Sequence, residues 1–71
     1  MNEEKCKMIG SNIRAERSRV GYTQEKVANE LGIATKTYIG YEKDATNLRV
    51  GSLINIASIL GCKIDDFFIQ K

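Results

Sequence analysis

The sequence predicts an all-α domain, on three observations. Apolar residues recur at spacings of three and four along most of the chain. No stretch alternates apolar and polar residues with the period of two that a half-buried strand needs. Gly21, Gly32 and Gly61 each follow an apolar-periodic segment, where a helix ends in a left-handed residue. With 71 residues, 42% hydrophobic and 28% charged, the chain has the balance of one folded domain spanning residues 1–71. A domain this small buries only about 60% of the surface its unfolded chain exposes, so a thin core helped by a partner is expected.

Five short helical segments follow from this punctuation. In the first, Cys6, Ile9, Ile13 and Val20 share one stripe, and Arg17 lies on it too. The second opens at Thr23, a good N-cap, and turns Val27, Ala28 and Leu31 inward. The third runs from about residue 34 to 42, with Tyr38, Tyr41 and Glu42 on its inner stripe. The fourth, residues 50–60, buries Leu53, Ile56, Ala57 and Leu60. The fifth, residues 64–69, turns Ile64, Phe67 and Phe68 inward, with Asp65 and Asp66 suited to its first turn.

Composition excludes much of chemistry. There is no histidine, and Cys6 and Cys62 are the only cysteines, so one chain cannot close a zinc site from the usual ligands. No phosphate-cradling glycine loop and no converging carboxylate pair is present, so the chain reads as a non-enzyme with no cofactor, no metal and no evident small-molecule ligand. Cys6 and Cys62 read as reduced thiols, Cys6 acting as a small hydrophobe. No apolar run approaches the roughly 20 residues that cross a bilayer, and the first residues lack a secretory segment, so no membrane partner and a cytoplasmic location are expected. The formal charge of +2 is only weakly basic. It is uneven: residues 5–19 carry Lys5, Lys7, Arg14, Arg17 and Arg19 against Glu16 alone. Lys5, Lys7, Arg14 and Arg19 read as solvated.

The stretch 23–42 carries the function. Two helices joined at Gly32-Ile33-Ala34 make a helix-turn-helix if they cross steeply, with Ala28 at the close approach and Ile33 plugging the angle. The outer stripe of the third helix is then Lys36, Ile39, Gly40 and Lys43. Ile and Gly together are an odd choice for a solvated face, but in a major groove isoleucine meets a thymine methyl and glycine admits close approach. Lys36, on this outward stripe, suits guanine O6 and N7. Thr23 and Gln24 stand at a helix N-terminus, where free amides attract phosphate. Tyr38 and Tyr41 read as core rather than base-stacking residues.

With these residues in view, the chain resembles the Cro/repressor-type (XRE-like) helix-turn-helix regulators, short standalone members included. The resemblance covers about residues 9–68 and rests on an ordered set. It begins with Ile9-Gly10, Ile13-Arg14 and Arg17, then Gly21-Tyr22-Thr23-Gln24-Glu25, Val27-Ala28 and Leu31-Gly32-Ile33. It continues through Thr37-Tyr38, Tyr41-Glu42, Leu53, Ile56-Ala57, Leu60-Gly61 and Ile64-Asp65-Asp66-Phe67-Phe68. The segment 46–50 is similar to the loop of restriction–modification controller proteins.

The resemblance implies a compact, five-helix, lambda-repressor-like domain acting as a homodimeric regulator, a repressor by expectation. Such a dimer reads two half-sites of a double-stranded operator. It places Thr35, Lys36, Thr37, Ile39 and Gly40 on the recognition helix, Gln24 at a phosphate, and Lys43, Thr46 and Asn47 in a loop meeting the DNA backbone. It makes Arg17 and Glu42 a structural ion pair, in agreement with their place on buried stripes. Asp44 replaces a common glycine and sets negative charge near that backbone. Leu48 stands where proline is frequent.

The last third is too apolar for one side of a thin core: Leu53, Ile54, Ile56, Ala57, Ile59 and Leu60 cover over half of a helical wheel, and Phe67, Phe68 and Ile69 add to it. Ile59, Phe68 and Ile69 are the expected homodimer interface. The alternative reading is a protein-interaction module whose helix-turn-helix does not engage DNA.

Overall fold

A computed structural model describes residues 3–70. It contains α1 (Glu3–Val20), α2 (Gln24–Leu31), α3 (Thr35–Lys43), a 3-10 turn at Ala45–Asn47, α4 (Val50–Leu60) and a second 3-10 turn at Ile64–Phe68. Among the described residues there is no strand.

Helix α2 shows how the sequence punctuates itself. Thr23 sits in extended backbone, and its hydroxyl accepts from the Lys26 N–H at 3.0 Å, satisfying one of the free donors of the first turn. At the other end Gly32 takes a φ of 73°, and the Ile33 N–H reaches back to the Ala28 carbonyl at 3.0 Å. Helices α1 and α4 end in the same glycine-closed motif.

The core joins Ile9 and Ile13 of α1, Val27 and Ala28 of α2, Tyr38 of α3, Leu53, Ile56, Ala57 and Leu60 of α4, and Phe67. Helix α1 lies against α3 and the C-terminal turn, and α2 packs on α3 and α4. The expected inner residues Val20, Leu31, Tyr41 and Ile64 are only partly buried and line the margin of this core. Two elements of it were not legible as core: Ala45, buried in the first 3-10 turn, and Asn12, a buried polar residue on α1.

The fifth helix is a correction. Among the described residues there are four α-helices, and the last segment is a 3-10 turn of five residues. Asp66 folds back on Lys63 through two bonds: its N–H donates to the Lys63 carbonyl, and its carboxylate accepts from the Lys63 N–H. The Asn12 side-chain amide donates to the carbonyls of Phe67 at 2.9 Å and Ile69 at 2.7 Å, so these carbonyls go to α1 and not to a continuing helical ladder. A 3-10 turn eclipses residues three apart, which puts Phe67 under Ile64 and rotates Phe68 outward. Phe67 is fully buried and Phe68 is 46% exposed, against the expectation that both turn inward.

Helices α1 and α3 cross closely at Gly10. A Cβ there would stand 2.7 Å from the backbone carbonyl oxygens of both Tyr41 and Glu42. Backbone cannot swing aside as a side chain can, so Gly10→Ala is expected to push α1 off α3 and cost about 1–3 kcal/mol. Urea denaturation of the two proteins checks it.

Candidate nucleic-acid interface

The two helices of the 23–42 stretch meet as a helix-turn-helix. Ala28 is fully buried at their junction, and Ile33 packs from the turn onto the core. Ala34, the residue before α3, gives it no side-chain cap, so the first amides of the helix are left for solvent or a bound group.

The expected site residues fall mainly on the outside. Thr23, Lys36, Thr37, Gly40, Lys43, Thr46 and Asn47 are exposed. Gln24, Thr35 and Ile39 are half-buried, Ile39 standing outside the core cluster. Tyr38 is fully buried and Tyr41 packs against the core, as their inward stripe predicts. A Cβ on Gly40 would meet nothing within 4 Å, so packing within the domain does not require a glycine there.

Behind this face lies a charged network. Arg17 Nε donates to Glu42 Oε2 at 2.6 Å and Nη2 to Oε1 at 3.2 Å, a two-pronged pair between α1 and α3. Arg17 Nη1 also donates to the Tyr22 carbonyl at 2.8 Å, fixing the approach to α2. Glu42 Oε1 accepts a third bond, from Gln24 Nε2 at 3.0 Å. Burial pushes the Glu42 carboxyl up, but the bonds from Arg17 and Gln24 outweigh it and hold the group below its ordinary range. The same pairing raises Arg17 further. The Tyr38 hydroxyl lies within this buried region; burial, then the neighbouring Glu42 charge, pushes it well above the usual tyrosine value. Among the described residues no atom meets it in hydrogen-bond geometry.

The 44–47 loop is more ordered than its sequence suggests. The Asp44 carboxylate accepts from the Thr46 N–H at 2.9 Å and from the Thr46 hydroxyl, capping the 3-10 turn. These bonds, the hydroxyl's foremost, hold Asp44 below its ordinary pKa. Asp44 is therefore a structural cap, and its presence in place of glycine has a local reason.

Elsewhere, Glu16, Cys62 and Asp66 bring three ligand atoms within 4.8 Å of one another. Arg19 already pairs with Glu16 at 2.8 Å, supplying the positive charge that a cation would otherwise bring. Burial, together with Glu16 and Asp66, raises the Cys62 thiol above its usual value, which disfavours the thiolate that a metal or an oxidant requires. Cys6 and Cys62 are both free, Cys6 fully enclosed.

A short capped helix, a glycine-closed turn and an outward-facing second helix, braced from behind by a buried ion pair, define a helix-turn-helix domain. The sequence profile of the helix-turn-helix family HTH_3 matches residues 13–67. The chain belongs to that family, the XRE-type helix-turn-helix of transcriptional regulators. It is 37% identical over 60 residues to HTH-type transcriptional regulators of Sinorhizobium medicae and Rhizobium meliloti, a match covering 84% of this chain and 43% of each of them. It thus spans less than half the length of these rhizobial relatives. An HTH-type regulator of Archaeoglobus fulgidus is 32% identical over 59 residues, covering 83% of this chain and 84% of that one. In fold it is similar to the DNA-binding domain of BldD, at a TM-score of 0.84 and 21% identity, over 97% of this chain and 100% of that one. It is likewise similar to the restriction–modification controller protein C.AhdI from Aeromonas hydrophila, at a TM-score of 0.83 and 22% identity, over 92% and 98% of the two chains. Among the described residues no helix is long and apolar enough to cross a membrane.

Proposed function

We propose that the chain is a sequence-specific DNA-binding regulator, a cytoplasmic repressor, that reads a two-half-site operator as a homodimer. The observation that carries this reading is the outer face of α3, where Lys36, Thr37, Gly40 and Lys43 are all exposed beside a capped α2. Phosphate contacts from Thr23, Gln24, Lys43, Thr46 and Asn47 supply affinity, and Thr35, Lys36, Thr37 and Ile39 supply base readout. The domain measures 29 Å in its longest dimension, with one such helix among the described residues. Half-sites one helical turn apart stand about 34 Å from each other, so one copy does not reach both.

The surface for a second copy is drawn from the exposed apolar residues Val50, Ile54, Phe68 and Ile69. Phe68 and Ile69 are where the sequence placed that surface. Ile59 is partly buried against the core and lines a shallow groove with Glu30, Leu31, Asn55 and Ser58, so it offers less to a partner than Val50 or Ile54. The same residues are what a protein-interaction module would present, and one experiment separates the readings. A binding selection from random duplexes, repeated at several salt concentrations, is expected to enrich an inverted repeat bound in a steeply salt-dependent way. Lys36→Ala should relax the preference at one position in each half-site. Folded protein that enriches nothing at low salt leaves the interaction module.

Gly40 offers an independent check. Alanine there removes the entropic cost of a mid-helix glycine in open space, so Gly40→Ala is expected to stabilise the free domain by about 0.5–1 kcal/mol. If backbone and base approach closely at that point, the same variant loses operator affinity. Thermal melting and a titration with the selected duplex measure the two effects, which should have opposite signs.

A further inference from the structure

The Arg17–Glu42 pair is expected as scaffolding, but its third bond points to the DNA-facing side. Gln24 is the first residue of α2, beside Thr23 and the free amides of the helix start. Its amide nitrogen, and not its oxygen, faces Glu42 Oε1 at 3.0 Å. An ionised carboxylate has no proton to give, so it accepts only, and it selects one of the two orientations a glutamine amide can take. The nitrogen carries two hydrogens. One is consumed by Glu42, and the second is left on a half-buried side chain at the mouth of the helix.

We infer that Glu42 is a positioning residue for DNA backbone contact, holding the Gln24 amide so that its second N–H meets a phosphate oxygen. This rests on the DNA-binding reading above. Arg17 makes the arrangement tolerable, because an unneutralised carboxylate this near a phosphate would repel it. Glu42 lies on α3 but is buried, so its bond to Gln24 sets the phosphate contact of α2 without itself touching a base. A glutamine at 42 offers one acceptor oxygen where the carboxylate offers two, so Glu42→Gln keeps the size, gives up one of the Arg17 bonds and loses the fixed acceptor that selects the Gln24 orientation.

The test is a scan of the selected duplex in which single phosphates are replaced by uncharged methylphosphonates, read with wild type, Gln24→Ala and Glu42→Gln. One position should weaken wild type roughly tenfold, the loss of a hydrogen bond to a charged acceptor. That penalty should vanish in Gln24→Ala and nearly vanish in Glu42→Gln, with penalties elsewhere and base preference unchanged. A purely structural Glu42 would lower the melting temperature and leave the penalty pattern of the folded variant intact, which overturns the inference. So does the absence of any position whose penalty disappears in Gln24→Ala. Should Glu42→Gln not fold, the Gln24 side-chain amide resonances of wild type decide. A single slowly exchanging conformer already present without DNA supports positioning, and a freely averaging amide overturns it. Wild type that binds no duplex at all removes the DNA-binding reading itself, an outcome distinct from these.

Discussion

Arg17→Met is expected to destabilise the domain by about 3 kcal/mol or more, the usual cost of leaving one partner of a buried ion pair alone. For a domain of this length that is a fall in melting temperature of roughly 12–24 °C. The reason lies in how unevenly the pair is enclosed. The Glu42 side chain is 3% exposed and Arg17 14%, so removing the arginine strands a carboxylate with almost no access to water. Gln24 remains as one donor, and the Tyr22 carbonyl loses its partner as well. Domains of this kind have only about 5–15 kcal/mol in total, so the variant should be folded at 10 °C and largely unfolded well below the wild-type midpoint.

The pH dependence of the same variant has a definite sign. In wild type the folded carboxyl of Glu42 titrates below its ordinary value of 4.5. Its contribution to stability is therefore complete above the unfolded value and is lost as pH falls through the lower folded one. Without Arg17 the balance shifts toward burial, which favours the protonated acid. Acid then relieves the stranded charge, so the deficit of Arg17→Met against wild type should be largest near pH 7 and shrink as pH is lowered toward 4. Melting curves of both proteins across that range are the measurement. A deficit that is constant over the range would mean that the lost packing of the arginine stem, and not the charge, carries the effect.

Much of this architecture is legible in the residues because it is local. Thr23, Gly32 and Gly61 act within a turn of their own position, and the apolar stripes of α1 and α4 follow from a period of 3.6. The Arg17–Glu42 pairing is implied by the family resemblance; the stripes agree with it, since a charged residue on an otherwise buried stripe must find a partner, but they do not name that partner. What escapes is non-local or depends on a small change of period. Asn12 looks like an ordinary polar position, and only its 55-residue reach to the Phe67 carbonyl reveals a clamp. Gly10 reads as a weak helix former until α3 is laid across it. Phe68 lands inside on a period of 3.6 and outside on a period of three, so the short C-terminal turn inverts its role. On the candidate site, the spacing placed Lys36, Gly40 and Lys43 on the exposed side of α3, while Ile39 of the same stripe is half-buried. The bond from Gln24 to Glu42 was not legible, because it joins residues on two helices whose crossing no sequence pattern specifies.

Asn12→Ala is the second variant with a large expected effect, and it connects fold to assembly. The Asn12 amide satisfies two carbonyls of the chain's last turn, one of them buried with Phe67. Truncation leaves the Phe67 carbonyl unpaired while Ile69 can turn to water, so the cost should be about 2–3 kcal/mol, read as a lower urea midpoint at unchanged slope. Asn12→Asp should be worse at neutral pH. It matches asparagine in size but offers a buried carboxylate to two carbonyl oxygens, with no proton between them. Acidification restores one donor, so the aspartate variant should recover stability as pH falls, in the range where wild type begins to lose it. If the segment after Phe67 also forms part of the contact between copies, its release has a further consequence. The exposed Phe68 and Ile69 are held in place by the same two bonds, and a frayed segment must be ordered again before it can bind. Sedimentation of Asn12→Ala under conditions where it is fully folded should then show weaker self-association than wild type. An unchanged association constant would place the contact on Val50 and Ile54 alone.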